Sequence, residues 1–190
     1  GTKLESSGPL LITHWGMSGP AVLKLSAFGA RILADKDYQY NVQVNWVSRP
    51  TDKVLNVLLN LKKKEPKKTV ILKSQFSEIP KRLWERLVLA SDITETQKWA
   101  DLSNLHLEKL ANQLTKGVFN ANGKSTFKEE FVTAGGIDLK EINFKRFESR
   151  KHENLFFVGE ILNIDAVTGG FNFQNAWTGG FIAAKAIAED

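Results

Sequence analysis

Glu160 stands where a carboxylate can bind a ligand. Before it, Leu155, Phe156, Phe157 and Val158 form a wholly apolar run that stops at Gly159, and about ten residues later come Gly169, Gly170 and a helix-like segment opening near Asn172. An apolar run bounded by turn residues predicts a strand buried on both faces, as in a parallel α/β sheet. Such sheets bind ligands at the carboxyl ends of their strands. A carboxylate there can take a ribose or ribitol hydroxyl. The glycines admit backbone close to a flat ligand, and the following helix offers free N–H groups and partial positive charge. A flavin suits these features.

Other candidates carry less pattern. Ala134, Gly135 and Gly136 follow a predicted strand over 127–133. Small residues there suit close approach to a ring or substrate, and a tight turn explains them equally well. His14, in THWGMSGP, is a candidate polar contact to a ligand, against the commoner outcome of a buried, satisfied histidine. Asp165 lies in the loop after Glu160 and is a candidate for shaping a ring pocket. The three histidines are far apart and lack metal-ligand companions, so no metal site is expected. With no cysteine, disulfides and thiolate chemistry are excluded.

The elements that must position these residues are partly legible. Residues 10–13 read as a short strand, and Ser18 with Pro20 as a helix start ahead of Ala21, Val22, Leu25 and Phe28. Tyr38, Tyr40, Val42, Val44 and Trp46 alternate with Gln39, Asn41, Gln43 and Asn45, which predicts a half-buried antiparallel strand. Thr51 is placed to cap a helix carrying Val54, Leu55, Leu58, Leu59 and Leu61, ended by Pro66. Pro80 suits the first turn of a helix with Leu83, Trp84, Leu87 and Val88. Ser103 suits the cap of another, carrying Leu107, Leu110, Ala111 and Leu114 and stopping at Gly117. Asn122-Gly123 reads as a turn.

Composition is that of an ordinary globular protein, 42% hydrophobic and 25% charged. No run approaches the ~18 apolar residues of a membrane span, and a cytoplasmic setting is expected. The net charge of +5 concentrates in Lys62, Lys63, Lys64, Lys67 and Lys68. This run suits RNA or another anionic partner. The commoner outcome for such a run is a solvated helix end whose cations complement the dipole. No aromatic interleaves it to stack on bases, so the sequence alone favours the solvated end over nucleic acid.

Three ordered stretches, GPLLITHWGMSGPAVLKLS (8–26), FVTAGGIDLKEINFKRFES (131–149) and VGEILNIDAVTGGFNFQNAWTGGFIAA (158–184), resemble the BaiN-like flavoproteins, bacterial NAD(P)/FAD-dependent oxidoreductases. The resemblance implies an α+β fold: a small antiparallel β-barrel with an inserted helical subdomain, and a strand–helix piece of an α/β FAD-binding domain. Barrel residues would fall at 1–50, the helical subdomain at 51–118, a strand returning to the barrel at 119–134 and the FAD-domain piece at 135–190. It also places residues 69–72 in the helical part, against their β-branched propensity.

The same resemblance makes Gly159 and Glu160 the ribitol-binding pair. Thr168, Gly169, Gly170, Phe171, Asn172, Gln174, Asn175 and Ala176 become the flavin-facing turn and helix, with N–H groups near Gln174 and Asn175 at the pyrimidine edge. Members of this group begin with a Rossmann G-x-G-x-x-G that holds the FAD pyrophosphate, and no such motif occurs here. The chain therefore reads as a fragment missing the N-terminal Rossmann half, with FAD and NAD(P)H as partners of the parent and no flavin retained by the fragment. Phe171, Phe173 and Trp177 would then be uncovered and invite homo-oligomer contacts. The alternatives are an RNA- or protein-binding module, and an oligomerisation or lid domain without catalysis.

Overall fold

The computed structural model describes residues 2–124 and 132–189. It comprises two units, one formed by Gly1–Tyr38 with Gly123–Asp190 and one by Gln39–Asn122. Among the described residues, five α-helices accompany small antiparallel sheets in a mixed α and β architecture.

In the first unit, β1 (Leu11–Ile12) and β2 (Met17–Ser18) form a hairpin. The Thr13 hydroxyl accepts from the Gly16 N–H at 3.1 Å and closes its tip. Helix α1 (Pro20–Ala34) follows with Gly19, rather than Ser18, at its cap. Proline suits the first position because its missing N–H has no partner to lose there.

The second unit opens with β3 (Gln39–Val44), whose alternating exposure matches the polar and apolar alternation of its residues. Helices α2 (Thr51–Lys64), α3 (Lys81–Leu89) and α4 (Asn104–Lys116) follow, and β4 (Gly117–Asn122) returns antiparallel to β3. Pro50, not Thr51, caps α2; the Thr51 hydroxyl lies 2.9 Å from that of Thr115 instead. Ser103 does cap α4, accepting the His106 N–H at 3.2 Å. Val54, Leu58, Trp84, Leu107, Leu110 and Leu114 form a fully buried core, in which the Trp84 indole donates to the Val70 carbonyl at 2.9 Å. Residues 69–72 are neither a full strand nor an α-helix. Thr69 bridges Lys98, and Val70–Leu72 winds into one 3₁₀ turn.

β3 and β4 flank the helices as the barrel expectation requires, yet each has one strand neighbour, and no closed barrel exists among the described residues. Closure needs partners on both outer edges. The part of the expected return strand at 127–131 lies outside the described residues.

The first unit resumes at Gly123, whose N–H donates to the Tyr38 carbonyl at 2.9 Å. Strands β5 (Ile142–Asn143) and β6 (Glu148–Ser149) pair as a hairpin, and α5 (Phe171–Ala188) closes the chain. Ile142, Phe147, Leu162 and Ala183 form its core. Gly179 lies against the Phe147 ring so closely that an added Cβ would come within 2.8 Å of it. The bulkier apolar residues of α5 point outward: Phe173 is 68% exposed and Trp177 69%.

The expected strand at 155–158 is not formed. Phe156 makes one antiparallel bridge to Glu148, while Leu155 and Val158 remain 41% and 38% exposed. A strand buried on both faces needs paired neighbours and covering layers, and the described residues supply one edge partner.

Candidate functional site

The candidate site is built from two close approaches. At the first, the chain after 155–158 turns through a 3₁₀ segment, Gly159–Ile161. Gly159 has φ +73°, and a Cβ there would stand 3.6 Å from the Cβ of Ala176. The Gly159–Glu160 turn therefore rests directly on the opening turns of α5. At the second, Ile137 and Leu162 form a parallel bridge, with Ile137 N–H donating to the Ile161 carbonyl at 2.9 Å and Asn163 N–H to the Ile137 carbonyl at 3.0 Å. Gly136, at φ +124°, is pressed against this pairing: a Cβ would meet the Ile161 oxygen at 2.5 Å and the Leu162 carbonyl carbon at 2.7 Å. Gly135, at φ +118°, has open space around it. Three predicted pieces, the 135–136 glycines, the Gly-Glu turn and the mouth of α5, thus meet along one stretch of backbone.

The mouth of α5 is set by Gly170, which caps it in the left-handed region at φ 92° without any side-chain cap. The Gln174 N–H donates to the Gly170 carbonyl at 2.9 Å, so it is already inside the helical ladder. This corrects the expectation that the amides near Gln174 and Asn175 face a ligand. The open donors are one turn earlier, at Phe171, Asn172 and Phe173, where no backbone partner exists among the described residues.

Asn172 has a further task. Its side-chain oxygen accepts the Ala166 N–H at 2.9 Å and its amide donates to the Ala166 carbonyl at 3.0 Å. Both side-chain atoms are spent pinning the 163–168 loop to the helix mouth, which leaves the Asn172 backbone N–H as the group available to a ligand. Asp165 in that loop faces Arg31 of α1 at 3.9 Å, and the same guanidinium donates to the Asn163 side chain. Arg31 carried no signal in the sequence, because its partners lie far along the chain.

Glu160 is exposed and has no hydrogen bond or ion pair among the described residues. Thr168 and Gly169 are exposed in the turn before α5. His14 sits exposed at the tip of the β1–β2 hairpin, which corrects the alternative of a buried, satisfied histidine. No group of three or more His, Asp or Glu able to hold a metal occurs among the described residues. Nor is any helix among them long and apolar enough to cross a membrane.

The family model for the HI0933-like protein barrel and H2TH domain matches residues 2–132. The chain belongs to the HI0933-like family, that of the BaiN-like flavoprotein oxidoreductases. It is 31% identical over 182 residues to a ribosomal RNA dihydrouridine synthase of Haemophilus influenzae, covering 94% of this chain and 42% of the relative. It is 30% identical over 183 residues to the Escherichia coli protein of the same name, covering 93% and 41%. A 3-dehydro-bile acid delta(4,6)-reductase of Clostridium scindens is 26% identical over 185 residues, covering 97% and 45%. The chain thus spans less than half the length of these relatives.

Proposed function

We propose that this chain supplies the barrel-and-helix segment and the flavin-contacting C-terminal segment of an FAD-dependent oxidoreductase. In it a hydride passes from NAD(P)H by way of flavin to a carbon–carbon double bond conjugated with a carbonyl, and the substrate is a uridine of ribosomal RNA. The names of the relatives support this chemistry. Dihydrouridine is uridine with its ring double bond saturated, and a delta(4,6)-reductase of a 3-dehydro bile acid acts on double bonds conjugated with a ketone. The two dihydrouridine synthases carry the higher identities, which favours uridine over a steroid.

The observation that carries the reading is the Gly159–Glu160 turn standing on the opening turns of α5, with the carboxylate unpaired and the first helical N–H groups unfilled among the described residues. These groups fit a flavin. Bound FAD would supply the hydride. Glu160 would accept hydrogen bonds from ribitol hydroxyls, each charge-assisted and therefore stronger than a neutral pair. The N–H groups of Phe171, Asn172 and Phe173 would hold negative charge on the pyrimidine edge, which favours the reduced state without an ionisable catalytic residue. Asn172, through Ala166, and Gly136, through Ile161, keep these groups in place.

On this reading the rest of a longer chain carries the pyrophosphate-binding Rossmann strand and helix, and the 190-residue chain alone neither retains FAD nor turns over. The test is anaerobic reduction of the longer protein by each nicotinamide, followed by addition of unmodified ribosomal RNA. Flavin reoxidation with dihydrouridine formed in the RNA is the expected result; a reduced flavin indifferent to the RNA would overturn the substrate.

A further inference from the structure

The lysine run separates into distinct groups once its surroundings are seen. Lys62 is half-buried and donates to the Leu102 carbonyl, tying α2 to the start of α4. Lys68 pairs with Glu65 at 2.9 Å. Lys63, Lys64 and Lys67 are exposed and have no ion pair or side-chain hydrogen bond among the described residues, and the same holds for Lys73 and Lys98. A solvated helix end accounts for Lys63 and Lys64 alone. It does not account for Lys73 and Lys98, which lie on other segments.

The backbone explains how these residues gather. Segment 66–70 runs antiparallel to 97–100: Val70 N–H donates to the Gln97 carbonyl, Trp99 N–H to that of Lys68 and Ala100 N–H to that of Pro66, each at 3.0 Å. Thr69 bridges Lys98 directly. The result is a cleft beyond the end of α2, lined by Glu65, Lys67, Lys68, Thr69, Leu72, Lys73 and Trp99. Charge is segregated on a larger scale as well. The Gln39–Asn122 unit holds fourteen Lys and Arg against eight Asp and Glu, a net of +6, while the rest of the chain stands at −1. Eleven of those fourteen are lysine, a point charge that suits phosphate without demanding the bidentate geometry of arginine.

We infer that this cleft, with Lys67 and Lys73 in its lining, Lys98 bridged to its Thr69 and Lys63 and Lys64 in the last turn of α2, binds the phosphate backbone of RNA. The inference rests on the ribosomal RNA reading above and assigns that substrate a binding surface outside the flavin site. Trp99 is 2% exposed and cannot stack on a base. The cleft therefore engages phosphates and sugars, which position RNA without reading its sequence.

The test uses the 190-residue chain and a fluorescein-labelled RNA duplex of about 16 base pairs, with anisotropy measured across a series of KCl concentrations. Lys67→Gln with Lys73→Gln should lower the slope of log affinity against log salt by about 1.8, that is, about 0.9 for each phosphate left without its lysine. Lys140→Gln with Lys145→Gln, exposed lysines of the other unit, makes the same charge change and should leave the slope within error. Lys62 stays intact because it holds the Leu102 carbonyl, and circular dichroism checks that both variants are folded. Equal slopes for the two variants would overturn the inference while leaving ribosomal RNA as a substrate bound elsewhere. Displacement of the RNA by poly-glutamate at equal charge concentration would overturn it in favour of an acidic protein partner. No binding to RNA at low salt, together with no reoxidation of reduced flavin by ribosomal RNA in the longer protein, would remove the substrate reading itself. Reoxidation without any binding by this chain would remove the surface alone.

Discussion

Replacing Gly136 with alanine should loosen the backbone that carries Glu160, and the neighbouring glycine provides its own control. Gly135 and Gly136 share a backbone conformation closed to most L-residues, at φ +118° and +124°. Alanine at either position therefore incurs a similar conformational penalty, of order 1–3 kcal/mol. The surroundings differ. At Gly135 the new methyl enters open space, whereas at Gly136 it stands 2.5 Å from the Ile161 oxygen and 2.7 Å from the Leu162 carbonyl carbon. These atoms belong to the parallel pairing with Ile137, so relief requires moving main chain. Overpacking of this kind costs about 1–3 kcal/mol beyond the shared penalty. Amide hydrogen exchange at Ile137 and Asn163, whose N–H groups make the two bonds of the pairing, reads the difference. Protection in Gly136→Ala should fall roughly five- to a hundredfold below that in Gly135→Ala, since about 1.4 kcal/mol is tenfold. Equal losses in the two variants would show that the Gly136 approach does not hold the turn, and the structural argument for its glycine would fail.

Two further outcomes follow from the same region. Asn172→Ala removes both hydrogen bonds to Ala166 and should destabilise the 163–168 loop by about 1–3 kcal/mol, at about 0.5–1.5 per bond, seen as faster exchange at the Ala166 amide. An unchanged rate would mean that the loop is held by other groups. The Glu148 carboxyl accepts from the Asn154 N–H at 3.0 Å and from Arg146 at 2.9 Å, which hold its pKa below the ordinary 4.5. Its contribution to stability is therefore present above pH 4.5 and lost as the pH falls through the lowered folded value. Glu148→Gln should remove that acid-dependent component from thermal unfolding curves; an identical pH profile in the variant would contradict it.

The elements legible in the sequence are those whose pattern is local. The alternation from Tyr38 to Trp46 needs only period two to reveal β3, and Ser103 needs only the amides next to it to cap α4. Thr51 shows where local reading fails: a good capping residue is drawn instead to the hydroxyl of Thr115 across the helical unit. Residues 69–72 mislead for a similar reason. Val70 N–H is taken by Gln97 and its carbonyl by the Trp84 indole, so tertiary partners decide a segment whose propensity says strand. The apolar run at 155–158 announces burial, but the partners that would make it a central strand are not among the described residues.

At the candidate site, the turn chemistry of Gly159, Gly169 and Gly170 and the start of α5 were legible. The pairing of Ile137 with Leu162 and the interactions of Arg31 were not, because nothing short-range marks them. The ladder position of Gln174 was missed because the helix begins at Phe171, one residue before Asn172. That shift moves the open donors to Phe171, Asn172 and Phe173.

The most direct test of the flavin site is the dissociation constant of FAD for the longer protein and its Glu160→Ala variant, measured by flavin fluorescence quenching. Loss of a charge-assisted hydrogen bond of about 1.5–3 kcal/mol predicts roughly ten- to hundredfold weaker binding. An unaltered constant in a variant with unaltered stability would contradict the assignment of Glu160 to the cofactor.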